Sequence, residues 1–226
     1  MSLIPNLKKA KKLVYNMLFL SKKEQRHYLV GAAHLWEMKQ MFQINFLKEN
    51  GLKPDEKLID IGCGTLRGGI PLIKYLNETN YCGLEVRENV LTEGRKELKE
   101  EGLENKHPHL VHFSDFDKLD FEAKFDKAFA FSVLIHLEDD ITEKCFSFVK
   151  RNLKKDGVFF ANVNLSTRES GNWQGFLVMY KELSFYEDLA AKNNLTVQKI
   201  GALKDIGHVS GQAAADEQIM LAFRKQ

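Results

Sequence analysis

From Lys57 onward, short apolar runs alternate with longer stretches of helical spacing. Lys57–Ile61, Tyr81–Val86, Leu110–Phe113, Lys127–Phe131 and Val158–Val163 read as five strands. Glu88–Leu103 and Ile141–Leu153 lie between them with helical periodicity, the second stopped by Gly157. Strands that alternate strictly with helices imply a parallel sheet wound on both faces by right-handed crossovers. The ending breaks that rhythm. Val197–Leu203 and Gln218–Phe223 are two strand candidates joined by a loop with no helical pattern, which predicts a terminal antiparallel hairpin. The expected fold is therefore α/β, a doubly wound, seven-stranded, mostly parallel sheet.

Ahead of the first strand, Leu35, Met38, Met41, Phe42 and Phe46 have helical spacing, and Gly51 with Pro54 supplies a stop. The chain divides near residue 50, into an N-terminal helical arm or cap (1–50) and a core (51–226). Residues 6–27 hold seven basic side chains (Lys8, Lys9, Lys11, Lys12, Lys22, Lys23 and Arg26) against one acid, Glu24. Their apolar positions form no clean stripe, so a helical arm packed on the core or on a second copy of the chain is favoured over a membrane-surface helix.

Composition narrows the function classes. The 226 residues are 44% hydrophobic with 16 Phe, enough for a sizeable core without staples. A balance of 33 basic against 31 acidic residues argues against a nucleic-acid binder. Three cysteines without metal-type spacing fit a reducing interior, and no apolar run approaches a membrane span. The expected location is cytoplasmic, and a homodimer is a candidate assembly.

The chemistry follows the first strand. Asp60-Ile61-Gly62-Cys63-Gly64-Thr65-Leu66-Arg67-Gly68-Gly69 runs from a buried strand through a glycine turn into a helix, where Gly62 and Gly64 let a ligand approach the backbone. Arg67 stands where a dinucleotide fingerprint needs its last glycine, and Asp60 suits an amino group better than a pyrophosphate. Glu85, about 20 residues on, sits where a carboxylate can accept from both ribose hydroxyls. Asp115 offers an acceptor for an adenine amino group beside the ring of Phe116.

These segments, with Phe125-Asp126-Lys127-Ala128-Phe129-Ala130-Phe131-Ser132-Val133-Leu134-Ile135-His136-Leu137 and the Leu153–Phe159 entry into the fifth strand, resemble the successive motifs of class I S-adenosylmethionine-dependent methyltransferases. Gly31, Trp36, Gln43 and the Leu66-Arg67-Gly68-Gly69 tail resemble a bacterial subgroup of them. The resemblance implies S-adenosylmethionine as cofactor: Gly62 and Gly64 lining it, Asp60 near its amino group, Glu85 on the ribose, Asp115 and Phe116 at the adenine, and Ser132 beside it. One position departs from the pattern. The family's usual third glycine is Leu66 here.

The acceptor is less legible. No Asn/Asp-Pro-Pro-aromatic motif follows the fourth strand, which lowers planar amine nitrogens as substrates. Glu138-Asp139-Asp140 reads as first-turn helix acids rather than metal ligands, and no metal is expected. The polar segments Ser166–Trp173 and Asp205–Gln212 suit a sugar or another hydroxylated small molecule. RNA or protein methylation, and a non-catalytic cofactor-binding module, are the alternatives. His136 and His208 are the candidate bases for a hydroxyl acceptor.

Overall fold

The computed structural model describes residues 20–173 and 175–225. Lys8, Lys9, Lys11 and Lys12 of the basic arm lie outside the described residues. After the helices α1 (Lys22–Tyr28) and α2 (Trp36–Glu49) come β1 (Leu58–Ile61), α3 (Gly69–Tyr75), β2 (Tyr81–Glu85), α4 (Glu88–Glu100) and β3 (His109–His112). The second half holds β4 (Phe125–Ala130), α5 (Asp139–Asn152), β5 (Leu153–Val163), β6 (Gly171–Trp173), β7 (Phe176–Val178), α6 (Leu183–Lys192), β8 (Leu195–Ala202), α7 (Ala213–Asp216) and β9 (Ile219–Lys225).

Seven strands form one sheet in the order β3-β2-β1-β4-β5-β9-β8. The first five pair in parallel, and β9 runs antiparallel between β5 and β8. The expected doubly wound sheet with its antiparallel end is the fold. β6 and β7 form a separate small hairpin. Among the described residues no helix is long and apolar enough to cross a membrane.

Strand alternation divides the core. Ile59, Ile61, Phe159 and Phe223 pack with Phe146 and Phe148 of α5 on one face, while Leu58, Phe129 and Phe160 meet Phe42 and Phe46 of α2 on the other. Asp60, between Ile59 and Ile61, faces the α2 side. The register along α2 differs from expectation. Trp36, Phe42, Gln43, Ile44, Phe46 and Leu47 are buried, whereas Met41 is 52% exposed. A helix covering a broad sheet face buries a wide sector, and Met38 and Met41 fall at its edge, along a groove shared with Ile206 and Gly207.

Two further elements correct the sequence reading. The connection from β8 to β9 is not plain loop, because a 3-10 turn over Leu203–Ile206 and the short helix α7 occupy it. β5 also begins earlier, at Leu153, which pairs with Phe125 directly after α5 ends.

Candidate active site

Sheet topology brings the ends of β1, β2, β3 and β4 to one edge, and the turn after β1 is its centre. Gly62 (φ +75°) and Gly64 (φ +58°) are left-handed. A Cβ on Gly62 would lie 2.5 Å from Val133 Cγ2, and one on Gly64 would lie 2.7 Å from Val30 Cγ1. Backbone angle and close approach thus both demand glycine there. Leu66 is also left-handed, at φ +64°. The turn therefore keeps the conformation a glycine would give it, while the Leu66 side chain is fully buried, near Gly69 and Gly94.

The acids differ sharply in surroundings. Glu85 is 3% exposed. Its Oε2 accepts the Gly64 N–H at 3.0 Å, and its Oε1 accepts from Arg87 N at 2.9 Å and Nε at 3.2 Å. The carboxylate that ends β2 therefore clamps the glycine turn. Asp60 is buried and accepts the Tyr81 hydroxyl at 2.6 Å. Burial pushes its pKa up to about 6, with the Tyr81 bond opposing. Asp115 accepts the Asp117 N–H at 3.1 Å and lies 3.4 Å from Lys144 Nζ, and these two contacts hold its carboxyl below the usual range.

Phe116 packs against Phe113 and Phe148, with ring centroids 4.8 and 5.5 Å away. A cleft of about 200 Å³ opens between Gly62, Val86, Asp115, Phe116 and Val133. Ser132 (φ +59°) stands just before Val133 and donates its N–H to Asn162 Oδ1 at 2.7 Å. Asn162 in turn donates to Gln218 Oε1 at 2.6 Å, so a buried amide pair fixes the backbone after β4. Gly62, Asp115 and Phe116 thus share the cleft, Gly64 and Glu85 adjoin it, and Asp60 lies on the α2 face of the sheet.

The two histidines are held differently. His136, in the 3-10 turn Leu134–His136, has Nδ1 2.5 Å from the Leu177 carbonyl oxygen of β7. His208 is not an exposed loop residue: it is 1% exposed, with Nδ1 3.0 Å from Asp216 Oδ1 of α7 and its ring 5.2 Å from that of Phe42. The turns around it bury it by packing it beneath α2. Its Nε2 has no partner among the described residues. Burial lowers its pKa, the Lys39 charge adds to this, and Asp216 opposes both.

Other residues here carry no motif. Arg26 of α1 is 4% exposed and pairs with Glu93, Glu97 and Glu100 of α4, which pins α1 to that helix. Residues 29–31 then cross the glycine turn as a strap. Arg87 Nη1 donates to Leu29 O at 3.3 Å, and Arg67 Nη1 donates to Val30 O at 2.8 Å. Val30, Arg87 and Asn162 escaped sequence reasoning because their partners are distant in the chain. Of the polar segments, Ser166–Trp173 ends in β6, and Arg168 lies over the Tyr180 ring at 5.2 Å.

Residues 52–204 match a family model described as a methyltransferase domain. A sterol 24-C-methyltransferase of Gibberella zeae is 28% identical over 117 residues, covering 51% of this chain and 30% of the relative. The chain spans less than a third of the length of the curated relatives it matches. Among solved structures, magnesium protoporphyrin IX methyltransferase from Synechocystis, with S-adenosylmethionine bound, has a TM-score of 0.66 at 14% identity, covering 95% of this chain and 97% of that one. An S-adenosylmethionine-dependent methyltransferase from Clostridium acetobutylicum has a TM-score of 0.63 at 16% identity, covering 84% and 92%. With about two thirds of its length matched by that family model, and with the fold of these structures, the chain belongs to the methyltransferase-domain family.

Proposed function

We propose that the chain transfers a methyl group from S-adenosylmethionine to the oxygen of a small hydroxylated acceptor, such as a sugar derivative. The observation that carries the cofactor half is the Glu85 clamp on Gly64, beside a cleft that holds Asp115 and Phe116. A two-glycine turn, a carboxylate at the end of β2 and an aromatic wall near a half-buried acid form a cradle for an adenosyl group. In this reading Glu85 takes the ribose hydroxyls, Asp115 the adenine amino group, and Asp60 the cationic amino end. Gly62, Gly64 and Ser132 present backbone rather than side chain.

Bound there, S-adenosylmethionine supplies an electrophilic methyl group on a sulfonium, which leaves as a neutral thioether. The protein's share is alignment and one proton. Two histidines are candidates for the proton: the first is His208, held neutral by burial, with Nδ1 facing Asp216 and Nε2 buried without a partner among the described residues, so that an acceptor reaches it only if the α2 cap moves. His136, anchored at Nδ1 by Leu177 O, is the second candidate. We assign residues 20–50 to a cap that excludes water from the reacting groups.

The test is calorimetric titration with S-adenosylhomocysteine and NAD, followed by turnover on a panel of hydroxylated metabolites. S-Adenosylhomocysteine is expected to bind and NAD not. Glu85→Ala should weaken binding by roughly 1–3 kcal/mol, the scale of bonds to a charged group. Failure of S-adenosylhomocysteine to bind rejects the cofactor site. Normal turnover by His136→Ala, His208→Ala and the double variant rejects a histidine base.

A further inference from the structure

The β6–β7 hairpin lies outside the seven-stranded sheet, and each of its strands has three residues. A two-stranded ribbon that short has little stability of its own. At its root, Lys181 N donates to Asn164 O at 3.1 Å and the buried Asn164 amide donates to Met179 O at 3.0 Å. Beyond the root, it is tied to the 3-10 turn Leu134–His136 that follows β4. Met179 N, just past β7, donates to Ile135 O at 2.8 Å. His136 Nδ1 lies 2.5 Å from Leu177 O, and the Phe176 ring stands 5.9 Å from the imidazole.

That turn borders the cleft. Val133 and Leu137, on either side of it, line the cleft together with Gly62 and Asp115. His136 is half-buried there, whereas His208 is enclosed. A carbonyl oxygen carries no proton, so the imidazole nitrogen that faces it must supply one. The neutral His136 ring is thereby fixed as the Nδ1–H tautomer, with its lone pair at Nε2. Among the described residues Nε2 makes no hydrogen bond.

We propose that the hairpin belongs to the methyl-transfer machinery: Leu177, through its carbonyl, is a positioning residue that holds His136 as the Nδ1–H tautomer, so that Nε2 takes the acceptor's hydroxyl proton. This role rests on the methyl-transfer reading given above and makes His136, rather than His208, the base. As the acceptor oxygen bonds the methyl carbon, the carbon–sulfur bond breaks with its electron pair left on sulfur, and the hydroxyl proton passes to Nε2. The imidazolium so formed keeps its Nδ1–H on Leu177 O, and a hydrogen bond from a charged donor is stronger than one from a neutral donor. The carbonyl therefore helps most as the charge develops. Nε2 then releases its proton to water.

Two readouts on the full chain test this. The first is the nitrogen-15 spectrum of the imidazole side chains, free and with S-adenosylhomocysteine, in buffer well above the ordinary imidazole range. His136→Asn identifies the His136 signals by their loss. A protonated Nδ1 and an unprotonated Nε2 are expected, and the opposite tautomer or an even average of the two overturns the proposal. The second is turnover on the panel of hydroxylated metabolites. His136→Asn keeps an amide donor where Nδ1 stood, so the tie to Leu177 O survives while Nε2 is lost. It should lower kcat about 10²- to 10⁴-fold with unchanged affinity for S-adenosylhomocysteine. Normal turnover by that variant overturns the assignment. Replacing residues 171–178 by a Gly-Ser linker should shift the His136 signals toward a tautomer mixture and slow turnover. Combined with His136→Asn it should be no slower than His136→Asn alone, because both changes act through one group. Losses that multiply instead overturn the role of the hairpin. Where the linker variant does not fold, or no metabolite is methylated, the wild-type spectra decide. Failure of S-adenosylhomocysteine to bind wild type rejects the cofactor reading and leaves the spectrum of the free protein to decide the tautomer. Binding together with the wrong tautomer rejects the hairpin's role alone.

Discussion

Burial raises the Asp60 carboxyl to about 6, and its one hydrogen-bond partner is the Tyr81 hydroxyl. An acid whose folded value lies above its unfolded one favours folding at low pH and destabilises the fold as pH rises through the folded value. A cationic amino group beside it reverses that balance. In the proposed cofactor pose, affinity for S-adenosylhomocysteine should therefore climb as pH rises through about 6 and then level off, about tenfold weaker one unit below. Titrations between pH 5 and 8 check this, and Asp60→Asn should flatten the climb. Leu66 poses the opposite kind of trade. Leu66→Gly relieves roughly 1–2 kcal/mol of left-handed strain. It also empties a fully buried side-chain position, at a cost of about 2–5 kcal/mol by analogy with Leu→Ala, so denaturant unfolding should show a net loss. At this scale the sequence was legible where backbone geometry constrains residue type. Gly62, Gly64, Glu85 and Asp115 follow strand ends, and a strand end is visible in one dimension. Arg67 stood in plain view with no role attached, since its acceptor, Val30 O, lies 37 residues upstream.

Helix α1 shows what charge patterning conceals at the scale of elements. Its basic residues announce an arm packed on the core or on a second copy without naming the contacts: Arg26 is inserted among three glutamates of α4, and Lys23 adds contacts to Glu97 and Glu101. Ser21 and Glu24 close the helix start with a reciprocal capping box, so α1 is built to begin there. Removing one partner of a buried pair strands the other, and Glu97 is even more buried than Arg26. Arg26→Met should weaken docking of α1 by on the order of 3 kcal/mol while the sheet stays folded. Hydrogen exchange would read this as lost protection confined to residues 22–35. Strands, helices α4 and α5 and the terminal hairpin were legible because each has a period. The face of α2 was only half legible, because a helix lying across a sheet buries more than one stripe. The β6–β7 hairpin and α7 escaped because elements of three or four residues leave no periodic trace.

For the whole molecule, topology assembles the cradle and the N-terminal strap roofs it. Arg87 binds the Glu85 carboxylate through Nε and the Leu29 carbonyl through Nη1, so one guanidinium joins the end of β2 to the strap. Val30 meanwhile stands against Gly64. Nothing in the local sequence of residues 29–31 announces this, because only the closed fold sets them over a turn 33 residues downstream. A roof tied to its own floor governs traffic as well as shelter. In the proposed reading, opening of that strap precedes departure of the spent nucleoside, so departure rather than methyl transfer is expected to set the pace of steady turnover. A rapid first turnover followed by a slower steady phase is the corresponding signature in stopped-flow. Val30→Ala, which trims the side chain resting on Gly64, should quicken the slow phase and leave the first turnover nearly untouched.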